Sequence, residues 1–495
     1  MTTAHHDIYR LPPTFKNAIA YFKEEPLPIY LVGGIIRNSL LGQQTTDLDL
    51  AVIGDGVLLG SRAAQHLGGT HVLLDSLRGI SRVIIKCADP IQIDITSANK
   101  GIEVDLGNRD FTINSMAVNV NHVSNELSFE RESIMDPYNG YQDLLSGLIK
   151  SVSKTSLSDD PIRMMRAVRF SANSKFTITE TTQQKIRAES RLIKDVSPER
   201  VRDELLKILD TRHSYESLIL LNELGITEQI IPELNQTKGT IQPYPHFWDV
   251  HDHMMETVRN LEKIIPTKVK TTNNNFYDLV PTFEGIEDYF EQEISNGLTR
   301  LSALKLSCLL HDIGKPATRT KDKDGQIRFL GHSESGAGIA KHILERLKIR
   351  KKMIALVCLQ IKHHLRPSQL APEGKVPSSK AIYRYHRDLG AAALDTLYLS
   401  LADYLSTVGP KIELKPWTAY CEVVKTIING KLGGKSPNPN IKLLSGHDII
   451  EGLRLKPGPL IGVLLEKVEE AHFEGKIKNK EDAIRFLESN LKSGE

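Results

Sequence analysis

The segment from Tyr30 to Val52, YLVGGIIRNSLLGQQTTDLDLAV, constrains the fold more than any other part of the chain. Its apolar start predicts a short buried strand that Gly33-Gly34 ends, and helical character follows. The next strand carries Asp47 and Asp49 on one face and apolar residues on the other, because side chains alternate along a strand. The order of strand, glycine turn, helix and acidic strand predicts a domain that mixes α and β structure.

The glycine turn and the two aspartates together indicate a chemistry. Backbone N–H groups that precede a helix bind phosphates, although a plain tight turn explains Gly33 and Gly34 equally well by themselves. Two carboxylates on one strand face repel each other unless a cation lies between them, and oxygen ligands suit Mg²⁺. A solvated strand end would explain an isolated pair. Next to the glycine turn, Asp47 and Asp49 favour metal-assisted phosphoryl or nucleotidyl transfer.

A later strand, IQIDITS, carries a third carboxylate, that of Asp94, whose role has two explanations. Alternation points Ile91, Ile93 and Ile95 inward and Asp94 outward. Asp94 is either a third acidic residue near the metals or an ordinary solvent-facing residue, and we favour the second interpretation.

Length and composition set outer limits. A chain of 495 residues is too long for one ordinary core, so three or more domains are expected. The net charge of +2 gives no sign of a polyanionic partner, so any basic patch must be local. Four cysteines without a CxxC pair predict buried thiols in a reducing compartment. With no signal peptide and no apolar run near the roughly 18 residues of a membrane span, a cytoplasmic protein is expected.

Five sequence blocks occur in a fixed order over the first half of the chain. They are LVGGIIRNSLLG…DLDLAV, NRDFTINSMAV, DPYNGYQDL, DDPIRMMRAVRF and SPERVRDELLKIL. Together they resemble motifs A to E of the bacterial-type (class II) tRNA nucleotidyltransferases and the related bacterial poly(A) polymerases. The resemblance implies a polymerase-β-like head, followed by a helical neck and body that hold tRNA. It also implies that Asp47 and Asp49 are catalytic and bind Mg²⁺, and that Arg109 and Asp110 contact the ribose.

The fourth block has two explanations. Asp160 and Pro161 suit the N-cap and first position of a helix, so Asp160 is either a cap or a base-recognition residue. Arg163 lies on the same side of the first turn, and an acceptor beside a forked donor matches the edge of a base. The family resemblance implies that this pair selects CTP and then ATP without a template. Arg166 and Arg169 continue the helix toward the triphosphate or toward neighbouring acids.

The triphosphate itself is expected to meet the amides of Gly33 and Gly34, together with Arg37. Glu199, in the fifth block, is expected to brace the nucleotide-binding arginines. Asn38, Asn108 and Asp159 depart from the family pattern, and none of the three removes a metal ligand.

One further departure concerns how many nucleotides are added. The connection from Thr96 to Asn108 is short, whereas CCA-adding members of the family carry a longer flexible loop there. Members that add only CC tend to lack this loop. CC-only addition is therefore an open alternative to complete CCA addition.

A second constellation begins after Gln242. His246, His251 and His253 cluster, and an apolar helix leads to His311-Asp312 in LSCLLHDIGKP, where Gly314 and Pro316 stop the helix. The order resembles the HD phosphohydrolase superfamily, and imidazole with carboxylate suits a divalent metal whose identity the sequence leaves open. The resemblance implies metal ligands at His253, His311, Asp312 and Asp403, with a second metal or a substrate phosphate at His332, His363 and His364.

Other residues near this motif are given ordinary roles. Lys315 either holds a phosphate or is a solvated lysine after a helix end, and the second is favoured. His447-Asp448 repeats the dipeptide, but its setting resembles the C-terminal segment of nucleotidyltransferases, so no metal is expected there. A helical domain that has lost its hydrolytic activity is the alternative for the whole HD region.

The sequence therefore predicts an α+β protein: a polymerase-β-like nucleotidyltransferase head followed by an all-α neck and body, a helical HD domain and a helical tail. The expected boundaries are 1–150, 151–240, 241–409 and 410–495. The expected function is Mg²⁺-dependent transfer of C and/or A from CTP and ATP to the 3′ end of tRNA, with a fused HD phosphohydrolase. The alternatives are CC-only addition, poly(A) polymerase, and an HD phosphohydrolase whose head only binds nucleotides.

Overall fold

The computed structural model describes residues 8–86, 90–174, 176–266, 276–295, 298–370, 376–432 and 443–492. Within these ranges, no helix has both the length and the apolar character needed to cross a membrane. The chain divides into two compact units, which we describe separately. Unit 1 comprises Met1–Glu204 and Leu220–Ile230, and unit 2 comprises Leu205–Ile219 and Ile231–Glu495. The finer boundaries at 150, 240 and 409 stay predictions.

Unit 1 is built on a seven-stranded mixed sheet. The strands in the first 230 residues are β1 (Ile8–Arg10), β2 (Ile29–Val32), β3 (Asp47–Val52), β4 (Thr70–Asp75), β5 (Ile80–Ile85), β6 (Ile91–Ser97), β7 (Ala117–Asn119), β8 (Ser128–Glu130), β9 (Ile134–Met135), β10 (Leu148–Ile149) and β11 (Thr177–Ile178). The main sheet has the order β4-β5-β6-β3-β2-β7-β9, and β1-β8 and β10-β11 form separate pairs. Within the main sheet β3 and β6 are parallel, whereas the other neighbours are antiparallel.

Helices surround this sheet and continue beyond it. In the first 230 residues they are α1 (Lys16–Glu24), α2 (Gly34–Leu40), α3 (Gly56–Leu67), α4 (Ile102–Gly107), α5 (Gly140–Leu145), α6 (Ser156–Asp159), α7 (Ile162–Ser174), α8 (Glu180–Glu189), α9 (Pro198–Leu209), α10 (Ser214–Glu223) and α11 (Thr227–Ile230). Helix α3 packs on β4, β5 and β6. The side chain of Asp55 caps α3 by accepting hydrogen bonds from two backbone N–H groups of its first turn.

The predicted strand pattern is confirmed at the centre of the sheet. Strand β2 occupies the predicted positions, and α2 follows directly after Gly33. In β3 the residues Leu48 and Leu50 are buried, while Asp47 is exposed and Asp49 is half-buried on the opposite face. In β6 the isoleucines are buried, as alternation predicts. Because β3 and β6 are parallel neighbours, Asp49 is paired in register with Asp94.

Unit 2 is almost entirely helical. Its further helices are α12 (Val250–Ile264), α13 (Ile286–Glu291), α14 (Arg300–Leu310), α15 (Lys315–Thr318), α16 (His332–Arg346), α17 (Lys351–His363), α18 (Arg366–Gln369), α19 (Ser379–Leu389), α20 (Ala393–Val408), α21 (Leu414–Leu432), α22 (Gly446–Leu453), α23 (Pro459–Phe473) and α24 (Lys480–Lys492). Two short hairpins are β12 (Glu293–Ser295) with β13 (Leu298–Thr299) and β14 (Thr320–Lys321) with β15 (Ile327–Arg328).

Five of these helices form the frame of a buried cluster. Helix α12 packs on α14 and α20, while α17 packs on α14 and α16. Every residue of α14 from Ser302 to Leu310 is buried, so the predicted buried helix before His311 is confirmed. Pro316 lies in the first turn of α15, where a missing N–H costs nothing, so it begins the next helix as well as following the last one.

The remaining sequence-based expectations have mixed outcomes. The polar, weakly periodic stretch from Pro266 to Phe290 predicts a loop, but its last part forms α13, whose Ile286 and Phe290 are buried. Of the predicted buried thiols, Cys308 and Cys421 are buried and Cys358 is half-buried, and all three are free. The Gly-, Pro- and Asn-rich stretch from Leu432 to Asn440 predicts a linker; all of it except its first residue lies outside the described residues, as does Cys87.

Candidate active sites

The glycine turn of unit 1 brings backbone, carboxylate and guanidinium groups together. Gly33 has a φ of 69°, a left-handed conformation that glycine adopts without strain. A Cβ atom at Gly33 would lie 2.6 Å from Arg109 Nη1, so a side chain there would displace the end of Arg109. The N–H of Gly34 donates to Asp49 Oδ2 at 3.2 Å. The predicted turn therefore places its amides directly beside one of the two predicted metal ligands.

The acidic side chains of the sheet are not equivalent. Burial raises the pKa of Asp49, and the neighbouring charges of Asp94 and Asp47 add to this, while Arg109 opposes it. Asp94 is held by Arg82 through two hydrogen bonds of 2.7 and 2.8 Å. Asp94 is thus neither a simple solvated residue nor a free third ligand. The repulsion around Asp49 is what a bound divalent cation would remove, so the oxygen donors at this site fit such an ion.

Arg37 donates its hydrogen bonds to neutral amides rather than to carboxylates in the described structure. Its guanidinium donates to Asn114 Oδ1 at 2.5 Å and to Asn38 Oδ1 at 2.8 Å, both neutral acceptors. Burial lowers the pKa of Arg37 to about 10, and the nearby Arg169 and Arg166 add to the shift. A Cβ on Gly34 would lie 3.8 Å from Arg37 Nη2, so the guanidinium is close to the glycine turn.

Asp110 has a structural environment that the sequence did not reveal. Its Oδ1 accepts from the amide of Asn114 and from the N–H of Phe111, each at 2.8 Å, and its Oδ2 accepts from Arg166 Nε at 2.9 Å. Although burial opposes ionisation, Arg166 and these hydrogen bonds lower the pKa of Asp110 to about 2. Asn114 therefore links Asp110 to Arg37, and its position four residues after Asp110 is the sequence signal for it.

Arg163 and Asp160 lie side by side, as predicted, but each also has other partners. Arg163 Nη2 donates to the carbonyl oxygen of Asn108 at 2.7 Å, and Nη1 donates to that of Ser156 at 3.0 Å. Asp160 Oδ2 lies 3.9 Å from Arg163 Nε and accepts from Arg200 Nη2 at 2.8 Å. Helix α7 begins at Ile162, and the partners of the Asp160 carboxylate are the two arginines.

The remaining arginines meet neighbouring acids. Arg169 Nε donates to Glu204 Oε2 at 2.7 Å, so Glu204, one turn after the predicted Glu199, braces this arginine. Glu199 itself is exposed. Arg109 donates twice to Asp105 Oδ2, at 2.9 and 3.1 Å. The nucleotide-binding role of these arginines stays a prediction, and the structure shows acidic partners that the sequence did not identify.

A cavity of about 1040 Å³ opens beside these residues in unit 1. Its wall includes Asp160, Arg163 and Asp105, together with Ser97–Gly101 after β6 and the β4-β5 hairpin around Arg78. The short connection that the sequence singled out is therefore part of the cavity wall. A cavity of this size holds a nucleotide.

In unit 2 the predicted HD residues converge on one point. His253 Nε2 lies 3.1 Å from His311 Nε2, 3.0 Å from Asp403 Oδ1 and 3.3 Å from Asp312 Oδ2. On the other side of Asp312, the Nε2 atoms of two more histidines lie 3.2 and 3.7 Å from Oδ1; they belong to His332 and His364. These six residues come from α12, α16, α20 and the ends of α14 and α17.

Hydrogen bonds at the far side of each ring indicate what the cluster requires. The Nδ1 atoms of His311, His332 and His364 face the backbone carbonyl oxygens of the residues three positions earlier, at 2.9, 2.7 and 2.7 Å. A carbonyl oxygen only accepts, so each Nδ1 carries a proton, and Nε2 is the nitrogen that faces the carboxylates. The Nε2 atoms of His253 and His311 lie 3.1 Å apart, and those of His332 and His364 lie 3.4 Å apart. Imidazole nitrogens and carboxylate oxygens gathered in this way are a donor set that fits a divalent cation.

The charges in the cluster lead to the same conclusion. Burial opposes a positive charge on His311, yet Asp312 and Asp403 raise its pKa to about 10. Burial lowers the pKa of His364 to about 4, so this ring is neutral. Two groups of side chains have the spacing of a metal site: His253, His311 and Asp403 form one, and His311, Asp312 and His364 form the other. The carboxylates thus demand positive charge at a fully buried point, and a metal would supply it.

One prediction about this site needs correction, and two adjacent histidines take different positions in it. Lys315 is buried rather than solvated, because its ammonium group contacts Asp312 Oδ2 at 2.5 Å and donates to Gln242 Oε1 at 2.6 Å. His363 does not join the buried cluster: it is half-buried and lies in the wall of the adjacent cavity. It is His364, the next residue along α17, whose ring turns inward, so the helical rotation between neighbours separates the two histidines.

The cavity next to the cluster has a volume of about 1230 Å³. Its wall combines Asp312, Asp403 and Lys315 with aromatic residues such as Tyr244 and Tyr404. His246 also lies in the wall, and burial, with the neighbouring Lys315, lowers its pKa to about 4. His447 is exposed and contacts Glu451, while Asp448 forms a capping box with Ser445. The repeated dipeptide is therefore part of a helix start.

Comparisons with known proteins agree with both sites. Residues 29–150 match the family described as poly A polymerase head domain, 175–237 the probable RNA and SrmB-binding site of polymerase A, and 290–408 the HD domain. The A-adding tRNA nucleotidyltransferase of Deinococcus radiodurans is 30% identical, over 94% of this chain and 97% of that protein. The CC-adding tRNA nucleotidyltransferase of Thermus thermophilus is 29% identical, over 93% of each.

A solved structure shares the fold. The Thermotoga maritima CCA-adding enzyme complexed with tRNA has a TM-score of 0.63 at 21% identity, and the match covers 97% of both chains. The predicted fold class, an α+β head followed by helical regions, is confirmed. Because sequence similarity spans nearly the whole chain, the family resemblance is confirmed as well: this protein belongs to the tRNA nucleotidyltransferase family and carries an HD domain.

Proposed function

We propose that unit 1 transfers C and/or A from CTP and ATP to the 3′ end of tRNA. The observation that carries this proposal is the arrangement of Asp47 and Asp49 beside the amides of Gly33 and Gly34, with the uncompensated cation Arg37 next to them. The two relatives matched over nearly their whole length are named for A addition and for CC addition to tRNA. Both the chemistry of the site and the family therefore support the same reaction.

In the proposed mechanism, each side chain has a definite task. The amides at the glycine turn and Arg37 bind the triphosphate and hold the α-phosphate in line with the attacking 3′-hydroxyl. Asp47 and Asp49 hold divalent cations, for which we propose Mg²⁺, and these would lower the pKa of the hydroxyl and neutralise the phosphates. Pyrophosphate leaves on the side of Arg37. Asp110 holds Asn114 and thereby the orientation of Arg37.

Base selection is assigned to Asp160 and Arg163. Their proximity gives an acceptor and a forked donor on one wall of the 1040 Å³ cavity. Each must give up or share a present partner to bind a base edge, since Arg163 holds backbone carbonyls and Asp160 holds Arg200. We therefore propose that nucleotide binding rearranges this pair.

Nucleotide incorporation into tRNA transcripts ending at the discriminator base, at C, at CC or at CCA tests the function. CTP alone, ATP alone and both together are supplied with Mg²⁺. Complete addition extends every incomplete transcript to CCA, CC-only addition stops after the second C, and A-only addition extends only the CC transcript. ATP-only addition without length control would identify a poly(A) polymerase and contradict the proposal, as would a lack of incorporation with all four transcripts.

We propose a second activity, metal-dependent hydrolysis of a phosphoester, for the HD cluster. The buried Nε2 lone pairs and carboxylates fit divalent cations, and Lys315 faces the adjacent cavity, where a phosphate can bind. The metal-depleted protein, reloaded separately with Mg²⁺, Mn²⁺ or Ni²⁺, is tested on a 2′,3′-cyclic phosphate and on a phosphomonoester. His311→Gln is expected to abolish release, while Asp49→Asn is expected to retain it. No release with any metal would contradict this second activity.

A further inference from the structure

Phe170 lies at the centre of the arginine group in unit 1. The guanidinium carbons of Arg37, Arg166 and Arg169 lie 4.8, 5.4 and 4.5 Å from the centroid of its ring. The ring is only 6% exposed, and Phe111 meets it edge-on with a centroid distance of 5.9 Å. Three cations around one aromatic ring are more than chance packing supplies, because cation–ring pairs occur roughly once per 70–80 residues.

The three cations differ in how their charge is balanced. Arg166 is paired with Asp110 at 2.8 Å, and Arg169 is paired with Glu204 at 2.7 Å. Arg37 has only the neutral amides Asn38 and Asn114 as its hydrogen-bond acceptors in the described structure. These three arginines and two carboxylates therefore carry one surplus positive charge, and it is on Arg37, the one of the three that lies close to the glycine turn.

The ring of Phe170 explains how the repulsion among the three guanidinium groups is offset and how Arg37 is oriented. Guanidinium groups this close repel one another, and Arg37 feels both of its neighbours. The negative face of an aromatic ring attracts each of them. Unlike a carboxylate, the ring has no net charge and therefore does not neutralise them. An acidic residue at position 170 would neutralise Arg37, and an aliphatic residue would leave the repulsion unopposed.

We propose that Phe170 is a positioning residue that holds the Arg37 guanidinium aimed at the triphosphate, and so sets the affinity for the triphosphate group irrespective of the base. This inference rests on the proposed nucleotidyl transfer. It assigns a role in substrate binding to a side chain that does not touch the reacting atoms. The role is distinct from base selection, which belongs to Asp160 and Arg163.

The test replaces the ring while keeping an apolar side chain. Phe170→Leu and Phe170→Met are expected to raise KM for CTP and for ATP by about tenfold each, with kcat within about threefold of the wild type. The inhibition constant of inorganic tripolyphosphate should rise by the same factor, because this probe has no base. Phe170→Tyr, which keeps the ring, should stay within about threefold of the wild type on every measure.

Phe22→Leu is the matched control, because Phe22 is an equally buried phenylalanine that packs against Tyr21. It should lose similar thermal stability without a change in KM. The inference is wrong if Leu and Met both keep KM and the tripolyphosphate constant within twofold of the wild type, if only one nucleotide is affected, or if Tyr is impaired as much as Leu. Tripolyphosphate binding measured by calorimetry compares the variants even if the wild type incorporates no nucleotide, so failure of the proposed function is distinguishable from failure of the inference.

Discussion

The acidic site of unit 1 and the HD cluster of unit 2 prepare for cations in opposite ways. In unit 1 most charges already have a protein partner: Asp94 is held by Arg82 and Asp110 by Arg166. In unit 2 the acceptors crowd together within 3–4 Å, and among the described residues only Lys315 brings an ammonium group to Asp312. The first site is thus assembled from paired charges, whereas the second gathers side-chain donors that fit an added divalent cation.

This difference has a physical cause in the residue types. A carboxylate and a guanidinium can exchange hydrogen bonds directly, so the head orients its charged groups without any ion. Imidazoles whose Nδ1 protons are donated to backbone carbonyls turn Nε2 to the inner side, where it can bind either a proton or a metal. Burying several of these nitrogens next to two carboxylates favours a bound cation. The two sites should therefore respond differently to mutation and to metal removal.

The largest expected effect separates the two sites completely. Asp49→Asn should lower nucleotide incorporation by at least about 10³-fold, because it removes charge that stabilises the transition state by several kcal/mol. It should leave phosphoester hydrolysis unchanged. His311→Gln should do the reverse. Rates of both reactions, measured on each variant, check this prediction.

Asp75→Asn, on the exposed hairpin of unit 1, is the control and should leave both rates near the wild-type values. If Asp49→Asn also abolished hydrolysis, the two activities would share a site, and the assignment of one activity to each unit would be wrong.

The next effect concerns stability. Removing metal with a chelator should lower the melting temperature of the transition that involves unit 2 by about 5–10 °C, since an ion present at about 100 times its Kd adds about 2.7 kcal/mol. Readding Mn²⁺ or Ni²⁺ should restore it. In a His253→Ala variant the melting temperature should change less on chelation, because the group of His253, His311 and Asp403 has lost one of its ligands. Differential scanning calorimetry measures both melting temperatures. If the chelator did not change the melting temperature of the wild type, the prediction of a stabilising metal would be wrong.

The sequence predicts only part of the difference between the two sites. Period-two alternation was enough to place Asp47 and Asp49 on the open face of β3, because it depends on the strand alone. The blocks also identified the arginines of α7. The choice of Glu204 over Glu199 depends on how α9 crosses α7, which no local pattern encodes. Some side chains, such as Asn114 and Phe170, contact Arg37 rather than a metal. Apart from their positions inside two of the blocks, the sequence does not indicate these contacts.

The burial of Lys315 shows the same limit in unit 2. A lysine after a helix end is usually solvated, and nothing in HDIGKP alone indicates otherwise. It is buried because Asp312 and Gln242 surround it, and Gln242 comes from a segment about 70 residues earlier in the chain. Likewise, His363 and His364 are indistinguishable in sequence until the rotation of α17 about its axis is known.

A smaller effect follows from the depressed pKa of Asp110. Its folded-state value of about 2 lies below the ordinary 3.8, so its contribution to stability is present above the ordinary value and lost as the pH falls through about 2. Asp110→Asn should cost about 2 kcal/mol at pH 7 and about half as much at pH 3. Urea unfolding at both pH values measures this, with the exposed Asp203→Asn as a control. An equal cost at both pH values would show that the charge of Asp110 contributes nothing.

The smallest effect tests whether the Arg82–Asp94 pair tunes the metal affinity of the head. Arg82→Gln releases the Asp94 carboxylate beside Asp49, so the Mg²⁺ concentration for half-maximal incorporation should fall by about threefold. Asp94→Asn leaves the Arg82 cation unpaired near the same carboxylates, so it should raise that concentration by a similar factor. Arg62→Gln, at an exposed arginine of α3 that pairs with Glu25 away from the 1040 Å³ cavity, should change nothing. Both shifts should shrink in high salt, because the pair is partly exposed. Shifts of the same sign in the two variants would mean that the pair supports the fold of β5 and β6 rather than the charge of the site, and unit 1 would then owe its metal affinity to Asp47 and Asp49 alone.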